Sequence, residues 1–408
     1  MINYKNTTIN LLCLACLIAG TVYGQTVNTG NIVVKSATQF SVVDDFTNNS
    51  GAEFINDGES FFYSDFTNNG VVDYIAGGLT RMEGMNQQLI TSPVPSYFFN
   101  LLFNNSSGLE KAIDLSGTIE VTQEVDFTEG IVNTIDNDGL FIIQNGGFVS
   151  NTSDLSFVDG FITKEGNSNF TFPIGDAMFY RYAGISSPAF TSALYKSRYV
   201  YKDPENPYPA EFRIGNIILM NEDEYWLLDN NQENETLDVT LSWDESKTTP
   251  IEIVANPEGI RMARWDFDAN AWRDVGGTVD VANRTVTSRQ TINGLAVFTI
   301  AGADLDIVLP DNVVVWNAVS TIGDGKNDYF FIEGIEKLPN NRLEIYNRWG
   351  TLVFKTSDYD TEGNVFRGYA QGRSDTLLPS GTYFYVLTYD STSSGRVKKA
   401  GFLYLSTD

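Results

Sequence analysis

The chain of 408 residues contains no histidine, and its two cysteines, Cys13 and Cys16, both fall near the N-terminus. Without histidine there is no Ser-His-Asp or Cys-His nucleophile pair, no histidine-ligated zinc, and no use of the commonest general base. Positive charge is also scarce: 26 Lys and Arg stand against 52 Asp and Glu, a formal charge of −26. Nucleic-acid binding and docking on anionic lipid both need a basic surface, so this balance excludes them. Past the first 24 residues no long apolar run occurs, and no stretch keeps a helical period.

What is present begins with a leader. Lys5 precedes an apolar run over residues 11–20, and Val22 and Gly24 occupy the −3 and −1 positions of a cleavage site before Gln25. This layout predicts a secretory signal peptide over 1–24, too short to span a bilayer stably. The lipoprotein alternative would use Cys16 after Leu14-Ala15, but it puts Cys13 at −3 and sets the modified cysteine inside the apolar run. Cleavage between Gly24 and Gln25 leaves a mature chain with no disulfide and no thiolate.

The length suggests two to four domains, and 13% aromatics with 35 glycines point to an all-β chain. In residues 25–150, Phe46-Thr47-Asn48-Asn49 recurs as Phe66-Thr67-Asn68-Asn69, with looser echoes at Phe103-Asn104-Asn105 and Phe127-Thr128-Glu129-Gly130. A period near twenty, with an inward aromatic followed by an Asn turn, predicts a β-solenoid whose Asn side chains bond along the axis while Phe46 and Phe66 stack inside. A hairpin meander with recurrent Asn turns is the other reading. Such a solenoid favours a spacer or binding surface over a deep cleft.

The texture changes over 151–303. Val239 and Leu241 alternate with Thr240 and Ser242, and Trp265 and Trp272 flank the turn Asp268-Ala269-Asn270, a pattern of short strands that predicts a β-sandwich. The segments Phe157-Val158-Asp159-Gly160 and Phe170-Thr171-Phe172-Pro173-Ile174-Gly175-Asp176 are similar to stretches common in Bacteroidetes surface proteins, with no defined activity attached. Acidic clusters at Asp44-Asp45, Glu222-Asp223-Glu224 and 358–362 read as solvated loops. Paired carboxylates hydrolyse glycosides without histidine, but nothing in the sequence brings two of these together. Tyr199-Val200-Tyr201 and Pro207-Tyr208-Pro209 read as strand core and loop packing, with a sugar-stacking platform as the alternative. Residues 304–310 read as a linker.

The last hundred residues, 311–408, hold three ordered pieces. Gly323-Asp324-Gly325-Lys326-Asn327-Asp328 reads as an Asp-Gly turn. Its oxygens have spacings that a Ca²⁺ loop uses, without the full register or a Glu at the twelfth position. Ile345-Tyr346-Asn347-Arg348-Trp349-Gly350 continues an alternating strand into a glycine-bearing reversal, with Leu352-Val353-Phe354 returning. Here Trp349 reads as domain core and Arg348 as the contact residue. Pro379 and Gly381 punctuate a turn before a central strand over 382–389, beginning Thr382-Tyr383, and Gly401-Phe402-Leu403-Tyr404-Leu405 supplies a last strand.

In this order the three pieces and the closing strand resemble the gliding-motility-associated C-terminal domain of Bacteroidetes, the type B sorting domain of type IX secretion. The likeness covers 311–408 and departs at Thr321-Ile322, where Pro-Asn is usual. It implies a small Ig-like sandwich, export across the outer membrane to the surface or medium, and engagement with the type IX translocon and a PorP/SprF-type outer-membrane protein. The expectation is then a three-part, all-β, secreted protein of structural or adhesin-like type: an N-terminal solenoid-like region, a middle β-sandwich and the C-terminal sandwich. It is read as a non-enzyme with no cofactor, Ca²⁺ being the one candidate. The alternative is a carbohydrate-active enzyme or carbohydrate-binding protein using carboxylates and aromatics.

Overall fold

The computed structural model describes residues 24–407, apart from 304–310, 312, 324–326, 339, 361–362, 373–375 and 392–394. The body of the leader, the 304–310 linker and the Asp324-Gly325 pair lie outside the described residues. The chain is 55% strand and 3% helix, with a solenoid of about six turns at its N-terminal end, so the all-β and solenoid expectations hold and the meander does not.

Each coil is built from three short strands, and the coils stack in parallel as three ladders. On the first face Phe46 sits beside Phe66, Phe66 beside Ile90, and Ile90 beside Leu115. On the second, Ile32, Phe54 and Val72 align. On the third, Phe62, Met82, Phe103 and Phe127 align. Strand alternation turns every second side chain inward, and the inward column is aromatic. Phe46 and Phe66 stack with centroids 5.5 Å apart and planes 25° apart, and Phe62 meets Phe66 edge-on at 4.9 Å. These rings are fully buried, each contributing about 1.5–3 kcal/mol. The Phe103 and Phe127 echoes belong to the third face, a different column from Phe46 and Phe66.

Asparagines turn the corners. Asn28 Nδ2 donates to Asn48 Oδ1 (2.8 Å), and Asn48 Nδ2 to Asn68 Oδ1 (2.9 Å). The same amides also donate to the Glu53 and Val71 carbonyls of the next coil. In return, Asn28 and Asn68 Oδ1 accept the N–H groups of Gly30 and Gly70. A buried amide costs little only when both ends are satisfied, and here the coil repeat satisfies both.

The expected boundary at 150 is displaced. Val158–Asp159 pairs in parallel with Val132–Asn133, and Ile174–Asp176 in parallel with Val158–Asp159, as one further partial coil. The sequence hides it because these strands carry Val and Ile in place of the Phe-Thr-Asn-Asn signature. Ile162–Glu165 pairs in parallel with Leu140–Ile143 on one edge and antiparallel with Leu194–Tyr201 on the other. The solenoid sheet thereby runs on into the middle sandwich through Glu224–Asn230, Ala296–Ala303 and Ile260–Asp266. The facing sheet orders Phe170–Phe172, Ala183–Ile185, Glu235–Ser242, Thr285–Ile292 and Thr278–Asp280. One hydrophobic core extends from Val34 through Phe141 and Trp226 to Ile300, and a smaller one gathers Tyr225, Trp265 and Trp272. The C-terminal residues build a separate core, from Val313 to Leu405.

Candidate functional site

The C-terminal unit has a five-stranded sheet ordered Ala318–Ser320, Gly395–Ser406, Gly381–Ser391, Arg342–Tyr346, Leu352–Ser357. The expected central strand is indeed central. One face of this sheet is core, carrying Leu343, Ile345, Tyr383, Tyr385, Leu387, Tyr389, Leu403 and Leu405, all buried.

Most of the singled-out residues turn out to shape the backbone. Asn347 Oδ1 accepts the N–H groups of Trp349 and Thr351, both at 3.0 Å, and Gly350 takes φ +76°, which a side-chain-bearing residue resists. Tyr383 is buried, and its hydroxyl donates to the Pro379 carbonyl at 2.9 Å, tying down the turn that Gly381 leaves; Thr382 is exposed beside it. Gly401 lies opposite Tyr385, where a Cβ would come within 2.5 Å of the phenol ring, so glycine there is a packing requirement. Gly323 and Asn327 have left-handed φ values of 75° and 52°, the Asn327 carbonyl accepts the Ser320 N–H at 2.7 Å, and Asp328 is half-buried.

Trp349 reverses the expectation. It is 79% exposed at the tip of the turn, with the Arg348 guanidinium 5.4 Å from its ring centroid. The turn puts the tryptophan beyond the end of the sheet, where no core is available to cover it. Core duty falls instead to two residues that sequence reading missed. Tyr359, fully buried, donates its hydroxyl to the Phe330 carbonyl, and Asn341 accepts the Tyr359 N–H while donating to the Ile335 and Leu338 carbonyls. Neither lies in a recognisable motif.

In the acidic cluster 222–224, Glu222 and Asp223 are exposed loop residues as expected, and Glu224, the first residue of a strand, is not. Glu224 is 1% exposed. Its carboxylate accepts from the Tyr199 hydroxyl, Asn221 Nδ2 and Thr249 Oγ1, each at 2.6 Å, and lies 4.0 Å from Arg181 Nε. Arg181 donates to Thr248 Oγ1 and the Tyr180 carbonyl, with Asp244 3.7 Å away. Burial, and then the Glu224 charge, push the Tyr199 phenol well above its ordinary value. Tyr199 and Val200 are core, and Tyr208 packs edge-on against Trp265 and Tyr225 at 5.4 Å each. Among the described residues no group of three or more Asp or Glu could hold a metal ion.

Asp159, at the junction of solenoid and sandwich, is pushed up to about 7 by burial and by neighbouring Asp176, with Arg198 opposing. The folded chain therefore keeps a proton that the unfolded chain releases near pH 4, and this group erodes stability as pH rises from about 4 to 7. Asp159→Asn should raise the thermal midpoint at pH 8 and leave it nearly unchanged at pH 4. Equal shifts at both pH values would refute this assignment.

No curated protein matches the chain. The family of CHU_C type IX secretion signal domains matches residues 313–405, the same span that builds the separate C-terminal core, and these residues form a type IX secretion C-terminal sorting domain.

Proposed function

We propose that this is a surface-displayed protein of structural or adhesive type, with the front 25–303 as cargo and 311–408 as its address. Export by the type IX system to the cell surface or medium follows from the sorting domain. The finer route is our reading. The leader, cut between Gly24 and Gln25, delivers the chain through the Sec pathway to the periplasm, and an outer-membrane protein of the PorP/SprF type retains it after export.

One observation carries the cargo reading: the front is a solenoid fused to a sandwich over one continuous core. This architecture gives long regular faces suited to spacing or adhesion. The carbohydrate-active alternative would need accessible carboxylates. Glu224 is the most buried carboxylate among the described residues, and its oxygens are already bonded to Tyr199, Asn221 and Thr249. The proposal therefore assigns no catalytic activity, and neither a cofactor nor Ca²⁺ enters it.

The test is transfer. Residues 304–408 fused behind a leader and a foreign passenger should bring that passenger to the surface of a type IX-competent cell, where added protease removes it. A fusion that stays inside the outer membrane would refute the address. Turnover of a polysaccharide by the intact protein, lost on replacing one Asp or Glu, would replace the adhesive reading with the carbohydrate-active one.

A further inference from the structure

The sorting domain's solvent face is divided by cross-strand register. At the end bearing the 347–351 turn, Leu352, Tyr346, Phe384 and Phe402 stand opposite one another across four strands. Leu352 and Phe384 are 43% and 49% exposed, and Trp349 projects beside them. Farther from the turn the face is charged. Arg342 and Lys355 both pair with Glu344 (2.6 and 3.5 Å), and Arg396 pairs with Asp390 (3.3 Å).

The edges of the sheet are occupied in part. Beyond Leu352–Ser357, the Gln371 N–H and Nε2 donate to the Val353 and Lys355 carbonyls, both at 2.9 Å. At the opposite edge Ser320 is bonded by Asn327, and Tyr404 of the neighbouring strand meets Phe212 of the middle domain edge-on at 5.9 Å. An added strand finds no free backbone ladder at those positions, whereas the apolar row on the face is open.

We propose that this apolar row, with Trp349 and Arg348 at its end, is the surface by which the sorting domain docks on a protein component of the type IX machinery. The proposal rests on the export reading above. Aromatic side chains and arginine are the residues that anchor protein interfaces, and the row continues the face on which Tyr404 already contacts the cargo. The occupant it fits is a protein with an apolar recess for the Phe384 and Leu352 side chains and an acidic rim for the Arg348 cation. The domain carries ten Lys and Arg against twelve Asp and Glu, and the rest of the chain sixteen against forty. On this face itself Arg342, Lys355, Arg396 and Lys398 stand against Glu344 and Asp390, so anionic vesicles enter the test below.

The experiment uses the full chain in a type IX-competent cell, with protease shaving as readout and the thermal transition of the purified protein as folding control. Trp349→Ala, and separately Phe384→Thr, should each lower surface display about tenfold, as loss of an interface anchor does, with the transition unmoved. Lys398→Ala, in the charged half, should leave display unchanged. Trp349 makes a clean probe because its exposed position removes no core packing. Normal display of both anchor variants, beside failed display of a chain lacking 311–408, would overturn the docking surface and leave the address intact. Display of the chain lacking 311–408 would instead overturn the address itself. Reduced binding of both variants to anionic vesicles, or loss of a wild-type dimer in sedimentation, would reassign the row to lipid or to a second copy and also overturn the proposal.

Discussion

A chain ended at residue 303 is expected to fold as the intact protein does and to lose surface display completely. The C-terminal core, from Val313 to Leu405, shares no side chain among the described residues with the core from Val34 to Ile300 or with the smaller one around Trp265 and Trp272. Among the described residues, Asn317 Nδ2 donates to the Gly215 carbonyl at 3.3 Å, Phe212 meets Tyr404, Arg273 stands 5.7 Å from the Trp316 ring, and a cavity is lined by Ile214 and Asn270 on one side and Val319 and Tyr404 on the other. Each such contact contributes on the order of 1 kcal/mol, far below the burial that holds either core. Circular dichroism and the front's thermal transition should therefore survive truncation, while the protease-accessible fraction on intact cells falls to background. A truncated protein found on the surface would place the address in the front. A truncated protein that aggregates would show that the C-terminal unit shields part of the sandwich.

Glu224→Ala should destabilise the middle sandwich by roughly 3–5 kcal/mol, the magnitude seen when one member of a buried ion pair is removed. The substitution leaves the buried Arg181 charge to Asp244, 3.7 Å away, and leaves the donors on Tyr199, Asn221 and Thr249 without their acceptor. Glu224→Gln keeps one carbonyl acceptor and the shape, so its loss should be smaller. Hydrogen exchange resolved by segment is the measurement, because a chain with several cores need not unfold in one step. The loss should concentrate in Leu194–Tyr201 and Ala296–Ala303, the strands flanking Glu224–Asn230. An alanine variant as protected as the wild type there would mean that water replaces the carboxylate.

Much of this fold was legible because its physics is periodic. Phe46, Asn48, Phe66 and Asn68 repeat at one spacing, and in the structure the rings stack and the amides bond in register. Legibility faded where the coils changed length: the register joins Phe66 to Ile90 and Ile90 to Leu115, intervals longer than the first, and no signature residue marks them. The misread positions share a cause. Trp349 was assigned to core by its apolarity and Glu224 to solvent by its charge, yet what decides each is the partner brought by the fold: none for the tryptophan, three donors for the glutamate. In the sorting domain the motif was readable, but its division between backbone-shaping Asn347 and Gly350 and displayed Arg348 and Trp349 needed coordinates.

The parallel ladders make the protein's reach adjustable in steps. Neighbouring strands in a sheet lie about 4.7–4.9 Å apart, so one coil gained or lost moves the tip by about that distance. Because corner side chains bond to the next coil and not to a fixed base, duplicating the 45–64 coil reproduces its own partners: Asn48 meets another Asn48 and Phe46 another Phe46. A lineage could thus lengthen or shorten this molecule by whole coils without redesigning the sandwich beneath it or the address behind it.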